Sequence, residues 1–176
     1  YSDFMKLETK AGQVCRSLGY SEIITYSFVS PAVFDQIRLS ADSVLRNAMR
    51  IQNPLGEDTS IMRTIALPSM LEILSRNNAY HNKAAKLYEL AKIYLPVEGQ
   101  KLPEEPKMLL LGTYGTDASF FTLKGELEAI FAGLRVKIAR RLIGKYHLGL
   151  VEQRTRNGNA LLLASRKFMG HAIGFL

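Results

Sequence analysis

Arg63 is the residue whose type and position best suit binding chemistry, because it lies just before a segment with a helical pattern. Arginine presents several N–H donors in a fixed fork, and the start of a helix favours anions, so one interpretation is an anion site. The other interpretation is a structural ion pair with Glu57, Asp58 or Glu89. The sequence favours the ion pair, because such pairs also place charged residues in folded interiors.

The remaining reactive side chains do not form a known catalytic or metal-binding motif. His81, His147 and His171 are widely spaced and lack a neighbouring ligand at metal-site spacing. Cys15 is the single cysteine and falls inside a helical pattern, which favours a buried structural thiol in a reducing compartment. A nucleophile elbow and a glycine-rich phosphate loop are also missing from the sequence. We therefore expect neither catalytic residues nor a metal site in this chain.

The charge of the chain leaves two interpretations open. The net charge is +7, which suits a polyanionic partner such as RNA, but dispersed basic residues also simply solvate a surface. The basic residues are spread along the chain, with one local cluster that is the candidate RNA contact: Lys137, Arg140, Arg141 and Lys145.

The first helix is predicted over residues 3–18, with Ser2 or Asp3 as its N-cap and Gly19 after its end. Its apolar residues recur at steps of three and four, so they form one narrow stripe. Packing of this stripe on the sheet of the same domain is slightly favoured. A subunit interface that includes Phe4, Leu7 and Ala11 is the compatible alternative. The stripe consists of Phe4, Leu7, Ala11, Val14 and Leu18.

A second helix is predicted after Pro68, whose missing N–H is tolerated in the first helical turn. Its apolar face contains Leu71, and a third helix begins at Asp117 or Ser119. Residues 87–94 alternate as a strand, and residues 107–114 are apolar on both faces, which predicts a central strand. These two strands form an antiparallel hairpin across the charged loop 95–106. Further predicted elements are strands at 22–28, 44–51, 136–142, 160–165 and 168–176, a short helix opened by Ser30 and Pro31, and a hairpin turn at Asn157-Gly158.

Together these elements predict an α+β fold in which an antiparallel or mixed sheet is flanked by helices. The length of 176 residues suits a single domain over 1–176, and the sequence has neither a signal peptide nor an apolar run long enough to span a membrane. The absence of an initial methionine suggests a piece of a longer protein.

Four ordered motifs resemble those of the bacterial phenylalanyl-tRNA synthetase beta subunit, in its catalytic-core-like module. Residues 18–28 match a Leu-Gly-Tyr-x-Glu-x-Ile-Thr-Tyr-Ser-Phe run, and residues 62–71 match Met-Arg-Thr followed by Pro-x-Leu-Leu. Residues 87–90 resemble the Phe-Glu-Ile-Gly strand of the family, and residues 120–131 resemble its Phe-Phe-Asp-Leu-Lys-Gly helix start. The chain departs from the family at three positions, where it has Ala91, Thr122 and Leu148.

The resemblance implies a class II aminoacyl-tRNA synthetase-like core that has lost its active site. Such enzymes hold the ATP α-phosphate with an arginine in the strand that corresponds to residues 86–91, and this strand has none. They also end in a glycine-rich strand followed by a helix with a second arginine, whereas residues 169–176 have no such helix after them.

The function implied is a non-catalytic module that scaffolds the catalytic alpha subunit of a phenylalanine–tRNA ligase. The resemblance also implies an α2β2 heterotetramer in the cytoplasm that charges tRNA(Phe) with phenylalanine. ATP and Mg²⁺ belong to the holoenzyme, and no cofactor is expected in this fragment. The alternatives are a direct tRNA-binding module that uses the basic cluster and a free-standing adenylating enzyme, against which the missing arginine argues.

Overall fold

The computed structural model describes residues 2–134 and the backbone of residues 148–155 and 158–165. The helices are α1 (Asp3–Ser17), α2 (Val33–Gln36), α3 (Leu67–Ala79) and α4 (Phe120–Gly133), and short 3-10 turns cover Val44–Arg46 and Glu57–Thr59. The strands are β1 (Ser21–Glu22), β2 (Phe28–Val29), β3 (Ile61–Met62), β4 (Ala85–Lys92), β5 (Lys107–Tyr114), β6 (Leu148–Thr155) and β7 (Gly158–Ser165).

A mixed five-stranded sheet is the centre of the fold. Its strand order is β1-β4-β5-β7-β6, in which only the β1–β4 pair is parallel. β4 and β5 pair antiparallel over their whole length, from Ala85↔Tyr114 to Lys92↔Lys107. Residues 108–114 of β5 are all buried, as expected of a strand covered on both faces. The predicted α+β fold, its hairpin and its central strand are confirmed.

Helices cover both faces of this sheet, which gives two hydrophobic clusters. On one face, α1 and α4 pack over Tyr88, Leu109 and Leu111. On the other face, α3 packs over Leu87 and Leu110. The alternation along β4 and β5 therefore sends successive apolar side chains to opposite clusters, because side chains on a strand point alternately to its two faces.

The first helix begins and ends as predicted. The Ser2 hydroxyl accepts a hydrogen bond from the backbone N–H of Met5 at 3.3 Å, and Gly19 has a φ of +84° after the last turn. Ala11 and Cys15 are buried, while Leu7 is half-buried and packs on the same cluster. The interpretation that the stripe packs on the domain's own sheet is confirmed.

The helix α3 has Pro68 in its first turn, and Met70 and Leu74 are its most deeply buried side chains. Leu71 was expected in the core but is only half-buried, because Met70 and Leu74 point more directly at the sheet. The sheet allows this close approach at Gly112, where an added Cβ would lie 2.8 Å from the sulfur of Met70.

Two strand predictions in the first third of the chain were wrong. The predicted strand 22–28 leaves the sheet after Glu22 and pairs again only as β2, and its Ile24 and Tyr26 are 91% and 83% exposed. The predicted strand 44–51 contains a 3-10 turn and a lone bridge at Arg50. The short helix begins at Val33, after a turn in which the Ser30 hydroxyl accepts from the N–H of Ala32 at 3.2 Å.

Helix α4 and the hairpin of β6 and β7 complete the fold. Ser119 caps α4 by accepting from the N–H of Thr122 at 3.1 Å, as one of the two predicted starts requires. The strands β6 and β7 pair in register from Leu148↔Ser165 to Thr155↔Gly158. This agrees with the predicted strand 160–165, whereas β6 was not predicted. Asn157 and the predicted strands 136–142 and 168–176 lie outside the described residues.

None of the helices in the described ranges has the length and apolar character needed to cross a membrane.

Candidate functional site

Arg63 and Glu89 form a buried ion pair beside the edge of the sheet. The distance from Arg63 Nη2 to Glu89 Oε1 is 3.1 Å, and the two side chains are 3% and 4% exposed. Glu89 projects from β4, and Arg63 follows β3 just before α3. Burial removes both charges from water, so each depends on the other and on further hydrogen bonds for its stability.

Thr25 completes this site. Its hydroxyl lies 2.9 Å from each carboxylate oxygen of Glu89, and its backbone N–H donates to Glu89 Oε1 at 3.2 Å. The Arg63 guanidinium donates to the Thr25 hydroxyl at 2.6 Å and, through Nε, to the carbonyl of Lys92 at 2.8 Å. Each nitrogen of the guanidinium therefore already has a protein acceptor, and a carboxylate occupies the place that an external anion would take.

We call residues 23–27 the strap, because this segment passes beside β4 without joining the sheet. At its start, the backbone N–H of Ile23 donates to the carbonyl of Tyr88 at 2.9 Å. At its end, the carbonyl of Ser27 accepts from the backbone N–H of Arg63 at 2.9 Å. Between these bonds the Arg63 side chain and the Glu89 carboxylate separate the strap from β4. This separation explains why β1 ends at Glu22, although the sequence predicted a strand over residues 22–28.

A cleft of about 400 Å³ lies between the strap and β4. Strap residues form one wall, Leu90 and Lys92 of β4 form the other, and Glu8 and Lys107 lie at its side. Clefts of this size can hold small ligands, so we describe the charges that line it.

The charged groups around the cleft are paired with one another. Glu8 Oε1 contacts the Lys107 ammonium as an ion pair, although the angles are not those of a hydrogen bond. Lys92 Nζ lies 2.7 Å from a Glu105 carboxylate oxygen. With the Arg63–Glu89 pair, these contacts neutralise each basic group that lines the cleft. Across residues 2–134 and the described hairpin, no group of three or more His, Cys, Asp or Glu could hold a metal ion.

Tyr88 lies under the same sheet edge and links β4 to α1. Its hydroxyl donates to Glu22 Oε2 at 2.8 Å and accepts from Arg16 Nη1 at 2.8 Å. Burial, followed by the contact with Glu22, raises the pKa of the Tyr88 phenol above its ordinary value. A phenol held protonated in this way serves as a structural donor.

Cys15 is fully buried on α1, and burial raises the pKa of its thiol to about 11. A thiol with so high a pKa is protonated near neutrality and is a poor nucleophile. The predicted structural role of Cys15 is confirmed, and the thiol takes no part in the cleft.

The predicted interface residues of α1 differ in their accessibility. Ala11 is only 2% exposed, so a partner subunit could not contact it while the fold is intact, and its assignment to an interface is corrected. Phe4 and Leu7 are half-buried, and the Lys107 ammonium lies 5.5 Å from the centre of the Phe4 ring. The cluster of Lys137, Arg140, Arg141 and Lys145 lies outside the described residues.

Sequence reasoning singled out Arg63 and Glu89 but missed Thr25. The strand predicted over residues 22–28 would have Thr25 on the same face as Ile23 and Ser27, and this pattern gives no sign of a buried charge beneath it. The only available signal was a hydroxyl residue between two large apolar ones, Ile24 and Tyr26.

Comparisons with family models and with known protein sequences point to the same family. The family described as "Phenylalanyl tRNA synthetase beta chain CLM domain" matches residues 1–158. The chain is similar to the phenylalanine–tRNA ligase beta subunit of Clostridium tetani, at 45% identity over 132 residues, and to that of Geobacter metallireducens, at 36% over 159 residues. These matches cover 74% and 82% of this chain but only 17% and 20% of the relatives, so the chain spans a minor part of their length.

Solved structures support the fold alone. The chain resembles the pyrrolysyl-tRNA synthetase of Desulfitobacterium hafniense with a TM-score of 0.68 over 93% of this chain and 66% of that one. The sequence identity is 12%, so this likeness carries no statement about substrate or activity.

Proposed function

This chain belongs to the phenylalanyl-tRNA synthetase beta chain CLM domain family, and we propose that it is a non-catalytic core module of a phenylalanine–tRNA ligase beta subunit. In this proposal it is one domain of a longer beta chain and holds a catalytic alpha subunit in place. The assembled ligase, an α2β2 heterotetramer, joins phenylalanine to its tRNA in the cytoplasm with ATP and Mg²⁺. The module itself binds no cofactor.

The pairing of the charges around the cleft is the observation that carries this proposal. Adenylate formation needs cations that are free to stabilise the negative charge developing on phosphate oxygens. Arg63 is instead held by Glu89 and Thr25, while Lys92 and Lys107 face carboxylates. The cleft therefore lacks the free positive charge that phosphate transfer requires.

The composition of β4 supports the same conclusion. The strand contains no arginine, and its two lysines are engaged, Lys86 with Glu126 and Lys92 with Glu105. Arginine suits phosphate because its planar fork can bind two oxygens at once, which a lysine cannot do. The strand that would carry the phosphate clamp in a catalytic relative therefore has no group prepared for that role.

We assign the contact with the alpha subunit to the exposed side of α1, with Phe4 and Leu7 as its apolar residues. Both are half-buried in the isolated chain, so each retains surface that a partner could cover. Met5, beside Phe4, is 46% exposed and adds to this surface. Large apolar anchors of this kind carry much of the energy in protein interfaces.

The experiment compares the chain with and without a phenylalanyl-tRNA synthetase alpha subunit. We expect the two to co-purify, and we expect phenylalanine-dependent pyrophosphate exchange only in samples that contain the alpha subunit. Exchange by this chain alone, above a sample without protein, would refute the non-catalytic role. Failure to bind the alpha subunit would refute the scaffold role.

Contact with tRNA is the less favoured alternative, and the observation behind it is the uneven charge of the sequence. Residues 135–176 hold nine Lys and Arg against one Glu, so the positive charge is concentrated in the last quarter of the chain. This stretch includes the cluster of Lys137, Arg140, Arg141 and Lys145, and its strands β6 and β7 form one end of the sheet. Basic groups of this density favour a polyanion.

The RNA role is tested by replacing the four cluster residues with Gln in the assembled ligase. If these side chains bind phosphates, the affinity for tRNA falls. The slope of log affinity against log salt then becomes shallower by about 0.7–0.9 for each phosphate that is no longer neutralised. The matched control replaces two arginines and two lysines that are exposed and lie outside α1 with Gln, namely Arg38, Arg50, Lys83 and Lys101. Equal effects of the two sets would assign the cluster to general solvation.

A further inference from the structure

We infer that Thr25, Arg63 and Glu89 form a fastener that holds the strap against β4 and thereby keeps one wall of the cleft in place. This inference concerns a conformational device inside the fold and does not depend on which partner the chain binds.

The strap is attached by unusual means. A peripheral segment of a sheet is ordinarily held by a ladder of backbone hydrogen bonds to the neighbouring strand. The ladder between β1 and β4 stops after Glu22↔Tyr88, and the last backbone bond joins Ile23 N to Tyr88 O. From that point the contacts with β4 run through side chains, namely the Glu89 carboxylate and the Arg63 guanidinium.

Apolar packing contributes little to holding the middle of the strap in place. Ile24 and Tyr26 are 91% and 83% exposed, so neither anchors the segment to a hydrophobic cluster. Thr25 lies between them and points the other way, into the Arg63–Glu89 pair. Between its two end bonds the strap thus depends on Thr25 for its position, and that residue also directs its two large neighbours outward.

The fastener is more deeply buried than the other ion pairs within residues 2–134. The Arg63 and Glu89 side chains are 3% and 4% exposed, whereas the Arg76–Glu72 pair on α3 is 57% and 68% exposed. Water therefore competes little for the hydrogen bonds of Thr25, and removing them has a larger effect than removing a hydrogen bond on the surface. Ile23, Ile24, Thr25 and Ser27 all line the cleft, so release of the strap would open that wall.

The test is amide hydrogen exchange on the 176-residue chain carrying Thr25→Val, which removes the hydroxyl and keeps the shape of the side chain. We expect exchange to accelerate by about tenfold at the amides of Ile23, Thr25 and Arg63, whose hydrogen bonds hold the strap. About a tenfold change is what the loss of a buried hydrogen bond produces. The amides of Leu109 and Leu111 in the central strand should exchange only through unfolding of the whole chain and should remain far slower than the strap amides. Thr9→Val is the matched control, because the Thr9 hydroxyl donates only within α1, to the carbonyl of Met5 at 2.9 Å.

Two results would overturn the inference. Unchanged exchange at Ile23, Thr25 and Arg63 in Thr25→Val would mean that other contacts hold the strap. Strap amides that exchange as slowly as Leu109 and Leu111, with the same dependence on urea, would mean that the strap opens only when the whole fold unfolds and that the cluster has no local role. Glu89→Gln serves as the second variant, because it keeps an oxygen acceptor for Thr25 but removes the charge. If it still folds by circular dichroism, the strap should again exchange faster than the central strand.

Discussion

Arg63 and Glu89 meet at 3.1 Å in the interior of the chain, although they are supplied by separate elements, the end of β3 and the middle of β4. The arginine thereby faces a carboxylate of the protein itself. The same contact accounts for the early end of the predicted strand and for the neutral character of the cleft.

Removing one charge of this pair should destabilise the fold strongly. Glu89→Gln leaves the Arg63 guanidinium buried without a counter-charge, which costs about 3–5 kcal/mol in comparable cases. Glu72→Gln is the matched control, since its exposed pair with Arg76 should contribute no more than about 0.5 kcal/mol. Urea unfolding of both variants measures the difference, and equal midpoints would show that the buried pair is solvated in solution.

Replacing both partners by apolar residues should cost less than the two single replacements together. The double variant Arg63→Met with Glu89→Leu leaves no unpaired charge, and buried pairs exchanged for apolar groups are often tolerated. The difference between the double variant and the sum of the singles gives the coupling free energy. A strictly additive result would mean that the two side chains do not act as a pair.

The two leucines of α3 should respond differently to truncation. Leu74 is 2% exposed, so Leu74→Ala should cost about 2–5 kcal/mol through lost burial and the cavity left behind. Leu71 is half-buried, and Leu71→Ala should cost clearly less, contrary to the expectation from sequence periodicity alone. Paired denaturant melts give the ranking. A larger loss for Leu71 would mean that the helix is rotated from the position described.

The thiol of Cys15 should be inert in the folded chain and should make stability depend on alkaline pH. Its pKa is raised to about 11 from an ordinary value of 9.0, so the unfolded chain loses this proton first as pH rises. The contribution of the buried thiol to the free energy of unfolding is therefore complete below pH 9. It is lost between about pH 9 and pH 11. Thiol alkylation at about pH 8 should proceed only after denaturation.

The control for this pH effect is Cys15→Ala, in which that part of the alkaline loss of stability should vanish. The Tyr20 phenol also has a raised pKa, mainly through burial and then through its bond to Glu126, so part of the loss will persist. Rapid alkylation of the native chain under the same mildly alkaline conditions would contradict the burial of Cys15.

Phe4→Asp should weaken binding to the alpha subunit while the chain remains folded. Phe4 is half-buried near the start of α1 and does not belong to the hydrophobic cluster beneath that helix, so an aspartate there can remain in contact with water. Thr9→Asp, at an exposed position of the same helix, is the control for added charge. Circular dichroism melting and affinity are measured together. A collapse of melting would identify Phe4 as core, and unchanged affinity would remove it from the interface.

The elements that the sequence predicted correctly are those whose signals are local. The start of α1 follows from Ser2, that of α3 from Pro68, and that of α4 from Ser119, each with an apolar face at helical spacing. β5 follows from its continuous apolar run between polar ends. These features depend on nearest neighbours along the chain, so no knowledge of distant residues is needed.

The errors occur where the local structure is determined by a residue that is distant in the sequence. The alternation over 22–28 is a fair strand pattern, but Arg63, almost forty residues away, separates that segment from β4. Ala11 was assigned to an interface because periodicity shows that a stripe is apolar without showing what covers it. The sequence offered Glu57, Asp58 and Glu89 as partners for Arg63, and only the folded arrangement selects Glu89.

The position of β5 has a consequence for how this chain can be shortened. The strand lies between β4 and β7, and its residues 108–114 are all buried. A protein cut anywhere between Leu134 and Leu148 would lose β6 and β7, and an interior apolar strand would become an open edge. Such an edge is a template for pairing with other copies, so the shortened chain would tend to aggregate in an expression host.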